Sequence, residues 1–380
     1  MAGFKHNRIL GGQCLYKTCF SFLQKNKFIH PGPCSRGISG MYAGAHLIRK
    51  YMSSVNNITK EDQREKVCKI LKDKRLVPES APPSNEHLHH LYNFIEDSQK
   101  LVVLTGAGIS TECGIPDYRS PHGAYSSGFK PITHQEFVRS TKTQRRYWAR
   151  SYAGWRRFIA AQPGPVHKAL ATLETRGYVH GMITQNVDRL HNRAGSDPLE
   201  LHGTTHSVIC LDCNSITCRH LFQDQVKSLN PEWALAIESV EKGELDIDSS
   251  FGMQQRPDGD IEIDERFWEN NFQIPTCEQC GGVLKPSVVF FGDNVPKERA
   301  DQAMETIKGG DALLVLGSSL MTMSAYRLVR AAYEVGSPVG LINIGPTRAD
   351  NLATLKIEAR CGEVLSRLLA MGSIRVPLVP

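Results

Sequence analysis

Residues 101–105 (LVVLT) run without a break into Gly106-Ala107-Gly108. An apolar strand that ends on small residues is how a doubly wound parallel sheet presents backbone N–H groups to an anion. Glycine at 106 and 108 is expected to let the backbone approach a phosphate closely. The spacing Gly106, Gly108, Gly114 is G-x-G-x5-G, not the full dinucleotide fingerprint. Two readings stay open at this point, a phosphate cradle and a plain strand-to-loop turn. Beyond it, Pro116 keeps Ile115 out of the helical region, so 114–119 is expected to be an ordered loop carrying Asp117 and Arg119.

Other apolar runs end in the same way. The segment 179–184 is a strand running into Gln185-Asn186-Val187-Asp188. The run 311–316 leads to Gly317-Ser318-Ser319, and 339–342 leads to Asn343-Ile344-Gly345. Sheets of this kind bind ligands outside the carboxyl ends of their strands, and the repetition after successive strands is the signal. Asp188 reads equally as a ligand contact or as the cap of a following helix. His191 and His202 could each serve as a base near neutral pH, and spacing does not choose between them. An amphipathic helix is expected over 86–98, with Leu88, Leu91 and Ile95 on one face. A second helix is expected over 163–173, and a strand over 285–293. The segment 122–155, rich in Arg and aromatics, reads as a helical module.

Of eleven cysteines, four form two C-x2-C pairs, Cys210/Cys213 and Cys277/Cys280. Paired knuckles of this spacing point to tetrahedral zinc. Four thiolates leave no open position for water, so the zinc is expected to be structural. Disulfides are disfavoured in a reducing compartment; a redox-active C-x-x-C is the alternative. The acidic segment 238–269 is expected to be an inserted loop or short helices, with Pro257-Asp258-Gly259 as a turn.

The net charge of +6 is unevenly placed. Residues 1–60 hold nine Lys or Arg and no acid, so the rest sums to −3 (+6 minus +9). The basic excess therefore belongs to the leader, and no nucleic-acid partner is expected. No apolar run approaches the roughly 18 residues of a membrane span. A leader rich in Lys, Arg and Ser and poor in acid reads as a mitochondrial transit peptide over 1–52, with Arg49-Lys50-Tyr51 at its end. Residues 53–85 are expected to hold a helix over 61–75 and a proline-rich linker over 77–84.

Four motifs together resemble the sirtuins, NAD-dependent protein deacylases: GAGIS at 106–110, GIPDYR at 114–119, QNVD at 185–188 and ELHG at 200–203. The resemblance covers roughly 86–372. Within the family the chain looks most like the class II mitochondrial, sirtuin-four-like members, on QRRYWAR at 144–150, the stretch 285–293 and NIGPTRAD at 343–350. It implies an α/β fold, a doubly wound Rossmann-like parallel sheet. A smaller inserted domain would combine a helical module (about 121–162) with a zinc module (about 206–282), and one zinc would be held per chain. NAD would be consumed as co-substrate and contacted by Gly106, Ala107, Gly108, Ile115, Pro116, Asp117, Tyr118 and Arg119. Further contacts would come from Gln185, Asn186, Val187, Asp188, Gly317, Ser318, Ser319, Asn343, Ile344 and Gly345, with Cys361 near the adenine.

The resemblance also makes His202 the general base and leaves His191 a structural role. Asn186 would position the ribose and a water, and Asp188 would meet the nicotinamide carboxamide. An acyl-lysine protein would add as a strand at Val289, with Phe290 walling the lysine channel. The implied reaction loses nicotinamide as the acyl oxygen attacks the ribose. His202 then takes a proton from a ribose hydroxyl, and free lysine and O-acyl-ADP-ribose leave. Two departures look conservative, Cys113 for the usual small residue and Asp293 for the usual Glu. A third bears on substrate: Tyr125 lacks the arginine three residues on that marks members acting on short acidic acyl groups. Mitochondrial metabolic enzymes are the implied substrates, the matrix the implied location and a monomer the implied state. Transfer of ADP-ribose to protein and NAD sensing without turnover are the other functions compatible with the same site.

Overall fold

A computed structural model of the chain describes residues 77–121, 123–128, 130–241, 254–255, 261–269 and 271–371. The leader, the helix expected over 61–75 and the turn at 257–259 lie outside the described residues. The strands in chain order are β1 (Leu101–Thr105), β2 (Val179–Thr184), β3 (Leu199–Glu200), β4 (Gly203–Cys210), β5 (Ile216–Cys218) and β6 (Gln254–Gln255). They continue with β7 (Ile261–Glu262), β8 (Leu284–Val288), β9 (Ala312–Leu316), β10 (Val339–Ile342) and β11 (Leu355–Ile357). The helices are α1 (Asn85–Glu96), α2 (His134–Arg139), α3 (Thr141–Ala160), α4 (Pro165–Thr175), α5 (Leu190–Ala194) and α6 (Arg219–Leu229). After them come α7 (Pro231–Glu241), α8 (Glu265–Trp268), α9 (Lys297–Gly309), α10 (Met323–Glu334) and α11 (Cys361–Ala370).

Six strands form one parallel sheet in the order β11-β10-β9-β1-β2-β3. Every residue of β1, β9 and β10 is buried, as the unbroken apolar runs require of a sheet covered on both faces. The two faces separate by the strand period of two. Leu101 and Val103 pack with residues of α1, α4 and α11, whereas Val102 and Leu104 pack with residues of α9 and α10. Helix α1 opens on Ser84, whose hydroxyl accepts from His87 N–H, and buries Leu88, Leu91 and Ile95 as its apolar spacing predicts. Helix α4 starts two residues later than expected. Gly164 takes the cap position, and its N–H donates to His167 Nδ1.

A second, antiparallel sheet has the order β5-β4-β8. Its core is aromatic, with Trp148, Phe222, Phe272 and Phe137 fully buried. Helices α2 and α3 fall within the expected helical module, and α2 starts on a capping box between Thr133 and Glu136. The strand expected over 285–293 is shorter, because its ladder stops at Val288. One further bond in the same register runs from Val289 N–H to the carbonyl of His202, and Gly292 (φ 75°) bends the chain away. The two-residue strands β6 and β7 pair antiparallel, and the short helix α8 follows; 242–253 and 256–260 of the expected insert lie outside the described residues.

Candidate active site

The carboxyl ends of β1, β2, β9 and β10 open into a cavity of about 1290 Å³ whose opposite wall is the stretch 288–295 after β8. Ala107, Gly108, Ile115–Arg119, Gln185–Asp188, His202, Val289, Phe290, Gly317–Ser319, Asn343–Gly345 and Cys361 all line it. Gly106 does not. Its carbonyl accepts from Asn186 Nδ2 and its N–H donates to Leu316 O.

The glycines also permit a close approach within the chain itself. A Cβ at Gly106 would stand 2.7 Å from Ser318 Cβ, and one at Gly108 2.8 Å from the Gly317 carbonyl. The missing side chains let the loops after β1 and β9 touch each other, backbone to backbone. Gly317 (φ 59°) answers from the other side, where a Cβ would fall 2.6 Å from Ile109 N. This contact shapes the floor of the cavity.

On that floor Asn186, Ser110 and Asp188 are joined. Asn186 Nδ2 donates to Ser110 Oγ (3.1 Å), and Ser110 donates to Asp188 Oδ2 (2.7 Å). The other Asp188 oxygen accepts Leu190 N–H at the start of α5 (2.9 Å). Asp188 therefore lines the cavity and, from the residue before the cap position Arg189, also accepts the first N–H of the helix. Burial pushes its carboxyl above the usual range, and the two hydrogen bonds oppose that. Ser110, the last residue of GAGIS, links Asn186 and Asp188 of QNVD through its hydroxyl.

The two histidines separate cleanly. His191 is 1% exposed, and its Nε2 bonds Thr105 Oγ1 (2.9 Å) behind the sheet end. Burial with His167 beside it holds it down to about 3. His202 instead lines the cavity, with Nδ1 donating to the Gln185 carbonyl (3.1 Å) and Nε2 bonded to Ser324 Oγ (2.8 Å). Burial lowers its pKa, and Arg299 adds to that; the Gln185 carbonyl works the other way. Ser324 lies 122 residues on, and no signal in the sequence ties it to His202.

On the facing wall, β8 is an edge strand. Phe290 packs edge-on against Phe137 and leans on Tyr147. Lys285, 4% exposed, sets its ammonium over the Phe290 ring at 4.3 Å. Tyr125 stands near Tyr118 and Phe291, with the Arg119 guanidinium over its ring at 5.1 Å. A cation thus meets Tyr125 from the 114–119 loop.

Away from the cavity, the sulfurs of Cys210, Cys213, Cys277 and Cys280 lie within 4.8 Å of one another. Cys210–Cys280 and Cys213–Cys277 are 3.5 and 3.7 Å apart. A tetrahedron with Zn–S bonds of about 2.3 Å needs sulfurs about 3.8 Å apart, so the four thiols fit zinc. No helix among the described residues is long and apolar enough to cross a membrane.

The sequence and fold were compared with known proteins. Residues 106–324 match the model of the Sir2 family. The chain is 66% identical over 309 residues to the NAD-dependent protein deacylase SRT2 of Arabidopsis thaliana, covering 81% of this chain and 83% of that protein. It is 46% identical over 292 residues to the human NAD-dependent protein lipoamidase sirtuin-4, mitochondrial, covering 76% and 88%. Among solved structures, a Sir2 enzyme with a p53 peptide and NAD+ matches at a TM-score of 0.56 and 27% identity, over 76% of this chain and 99% of that one.

Proposed function

The chain belongs to the Sir2 family, and from that premise we propose that it removes acyl groups from protein lysines with NAD as co-substrate. Nicotinamide, free lysine and O-acyl-ADP-ribose are the products. One observation carries this reading: the only histidine lining the cavity among the described residues, His202, stands where the polar floor meets the edge strand β8. Its carbonyl accepts from Val289 N–H, which ties the base directly to the end of the strand that would receive the substrate backbone.

The residues divide the work. The loops after β1, β9 and β10 would hold the phosphates and riboses, with Cys361 at the adenine end. Asn186 and Asp188, fixed through Ser110, would orient the nicotinamide and its ribose. Val289 would pair with the backbone of the acylated lysine, and Phe290, braced by Phe137 and Tyr147, would wall its side chain. His202 is kept neutral by burial and takes a proton from a ribose hydroxyl, assistance worth about 10²–10⁴-fold. Closing both walls on the substrates excludes water from the cation-like ribose carbon. Zinc, held by Cys210, Cys213, Cys277 and Cys280, would brace the small domain and take no part in the chemistry.

The domain bounds adopted are 1–52 for a transit peptide, 53–85 for a helix and linker, and 86–372 for the catalytic domain. The basic leader and the mitochondrial relatives support a mitochondrial location, with the matrix as its compartment; metabolic proteins as substrates and a monomeric state are carried over from the family resemblance. Mass spectrometry of the full chain with NAD and a panel of acyl-lysine peptides tests the proposal. One O-acyl-ADP-ribose, absent with His202→Tyr, is expected and names the acyl group. ADP-ribose on protein with no acyl loss would overturn it.

A further inference from the structure

The tautomer of His202 can be worked out from its two hydrogen bonds. A carbonyl only accepts, so Nδ1 must carry the proton that meets Gln185 O at 3.1 Å. In the neutral ring Nε2 is then the lone-pair atom, and at 2.8 Å the Ser324 hydroxyl donates to it. The basic atom of His202 is thus already engaged.

Ser324 is also fixed in place. It stands in the first turn of α10, whose cap residue Thr322 donates through Oγ1 to Gln185 Oε1 (3.3 Å). Gln185 Nε2 in turn donates to Ser318 Oγ (2.8 Å). One residue, Gln185, therefore ties down both the ring of His202 and the segment that presents Ser324. Ser324 lines the same cavity, and a hydroxyl that donates one bond keeps acceptor lone pairs for a second.

Building on the deacylase reading above, we infer that Ser324 is a catalytic proton relay between the substrate ribose and His202. The ribose O–H passes its proton to Ser324 Oγ as Ser324 passes its own to Nε2. The freed ribose oxygen uses its electron pair to bond the acyl carbon of the imidate left after nicotinamide departs, the C=N π pair of that imidate retreats to the lysine nitrogen, and His202 ends as imidazolium with Ser324 unchanged. Nothing is oxidised or reduced.

The test is single-turnover deacylation by the full chain in mixtures of H2O and D2O, for the wild type, Ser324→Ala and Ser324→Thr. Two protons in flight give the wild type a bowed dependence on deuterium fraction. Ser324→Ala should lose about 100-fold in the chemical step, the low end for assisted proton transfer, with the NAD KM unchanged and the dependence straight. Ser324→Thr should recover most of the rate and the bow. A Ser324→Ala enzyme as fast as the wild type, or a straight line for the wild type, would overturn the relay and leave the deacylase standing. Nitrogen-15 spectra of labelled imidazoles, assigned with His202→Gln, give a readout that needs no turnover. Nδ1 protonated and Nε2 bare is expected; a protonated Nε2 at neutral pH would sink the relay even in a preparation that does not turn over.

Discussion

The two sheets reach stability by different means. The parallel sheet buries unbroken apolar strands between two helical layers, and its loops at one end are tied by glycine contacts. The antiparallel sheet has three strands, of eight, three and five residues. Three short strands have little of their own to bury, and the shortfall is met by aromatics and by four thiols. Arg219 shows how far this goes. It is 1% exposed, with its guanidinium 4.9 Å and 4.7 Å from the rings of Trp148 and Trp155. No ion pair to a carboxylate is seen for it among the described residues; Ser151 and Gln223 take its protons. The large sheet can hold a polar floor in fixed register, whereas among the described residues β8 stands at the edge of the small one, and the proposed reaction would use both.

Removing zinc should separate the two most sharply. Structural zinc is worth about 10–16 kcal/mol in small domains. All four tryptophans, Trp148, Trp155, Trp233 and Trp268, belong to the small-domain side. A chelator at neutral pH is expected to red-shift tryptophan emission and abolish turnover, while far-UV circular dichroism keeps the signal of the parallel sheet. His202→Tyr should do the reverse, losing about 10²–10⁴-fold in turnover with tryptophan emission unmoved.

Acid should weaken the large sheet. His167 and His191 are held neutral by burial, at about 4 and about 3 against 6.5. Between those values and 6.5 the unfolded chain binds more protons than the folded one. Stability from this pair is therefore full above pH 6.5 and is lost as pH falls toward 4 and then 3, each histidine contributing about 3–5 kcal/mol. Urea midpoints between pH 7 and pH 5 should fall, and fall less in a His191→Gln variant. The smallest effect is expected from Gly108→Ala. Its Cβ would meet Gly317 backbone at 2.8 Å, costing about 1–3 kcal/mol and weakening NAD binding in calorimetry.

Much of this was legible in residue order, where the cause is local. Strands β1 and β2 stand at the expected bounds because uninterrupted apolar runs decide them. The cysteine pairs announce themselves by spacing, and QNVD follows a strand whose end had to face the cavity. What stayed hidden depends on contacts across the chain. Residue order marks Gly106 and Gly108 as close backbone approaches, but not that the groups their Cβ atoms would strike come from the loop after β9. The strand over 285–293 looked continuous, but its pairing with β4 ends beside His202 and the chain bends at Gly292. Ser324 and Lys285 carry no motif: one is defined by a histidine 122 residues away, the other by the ring of Phe290.

The most direct measurement is the stoichiometry of one reaction with NAD and the preferred acyl-lysine peptide. Nicotinamide released, lysine freed and O-acyl-ADP-ribose formed should rise in a ratio of one to one to one, and all three should vanish together in His202→Tyr. Nicotinamide released without freed lysine, with ADP-ribose appearing on protein or in solution, would contradict a cleft in which both walls act on one acyl transfer.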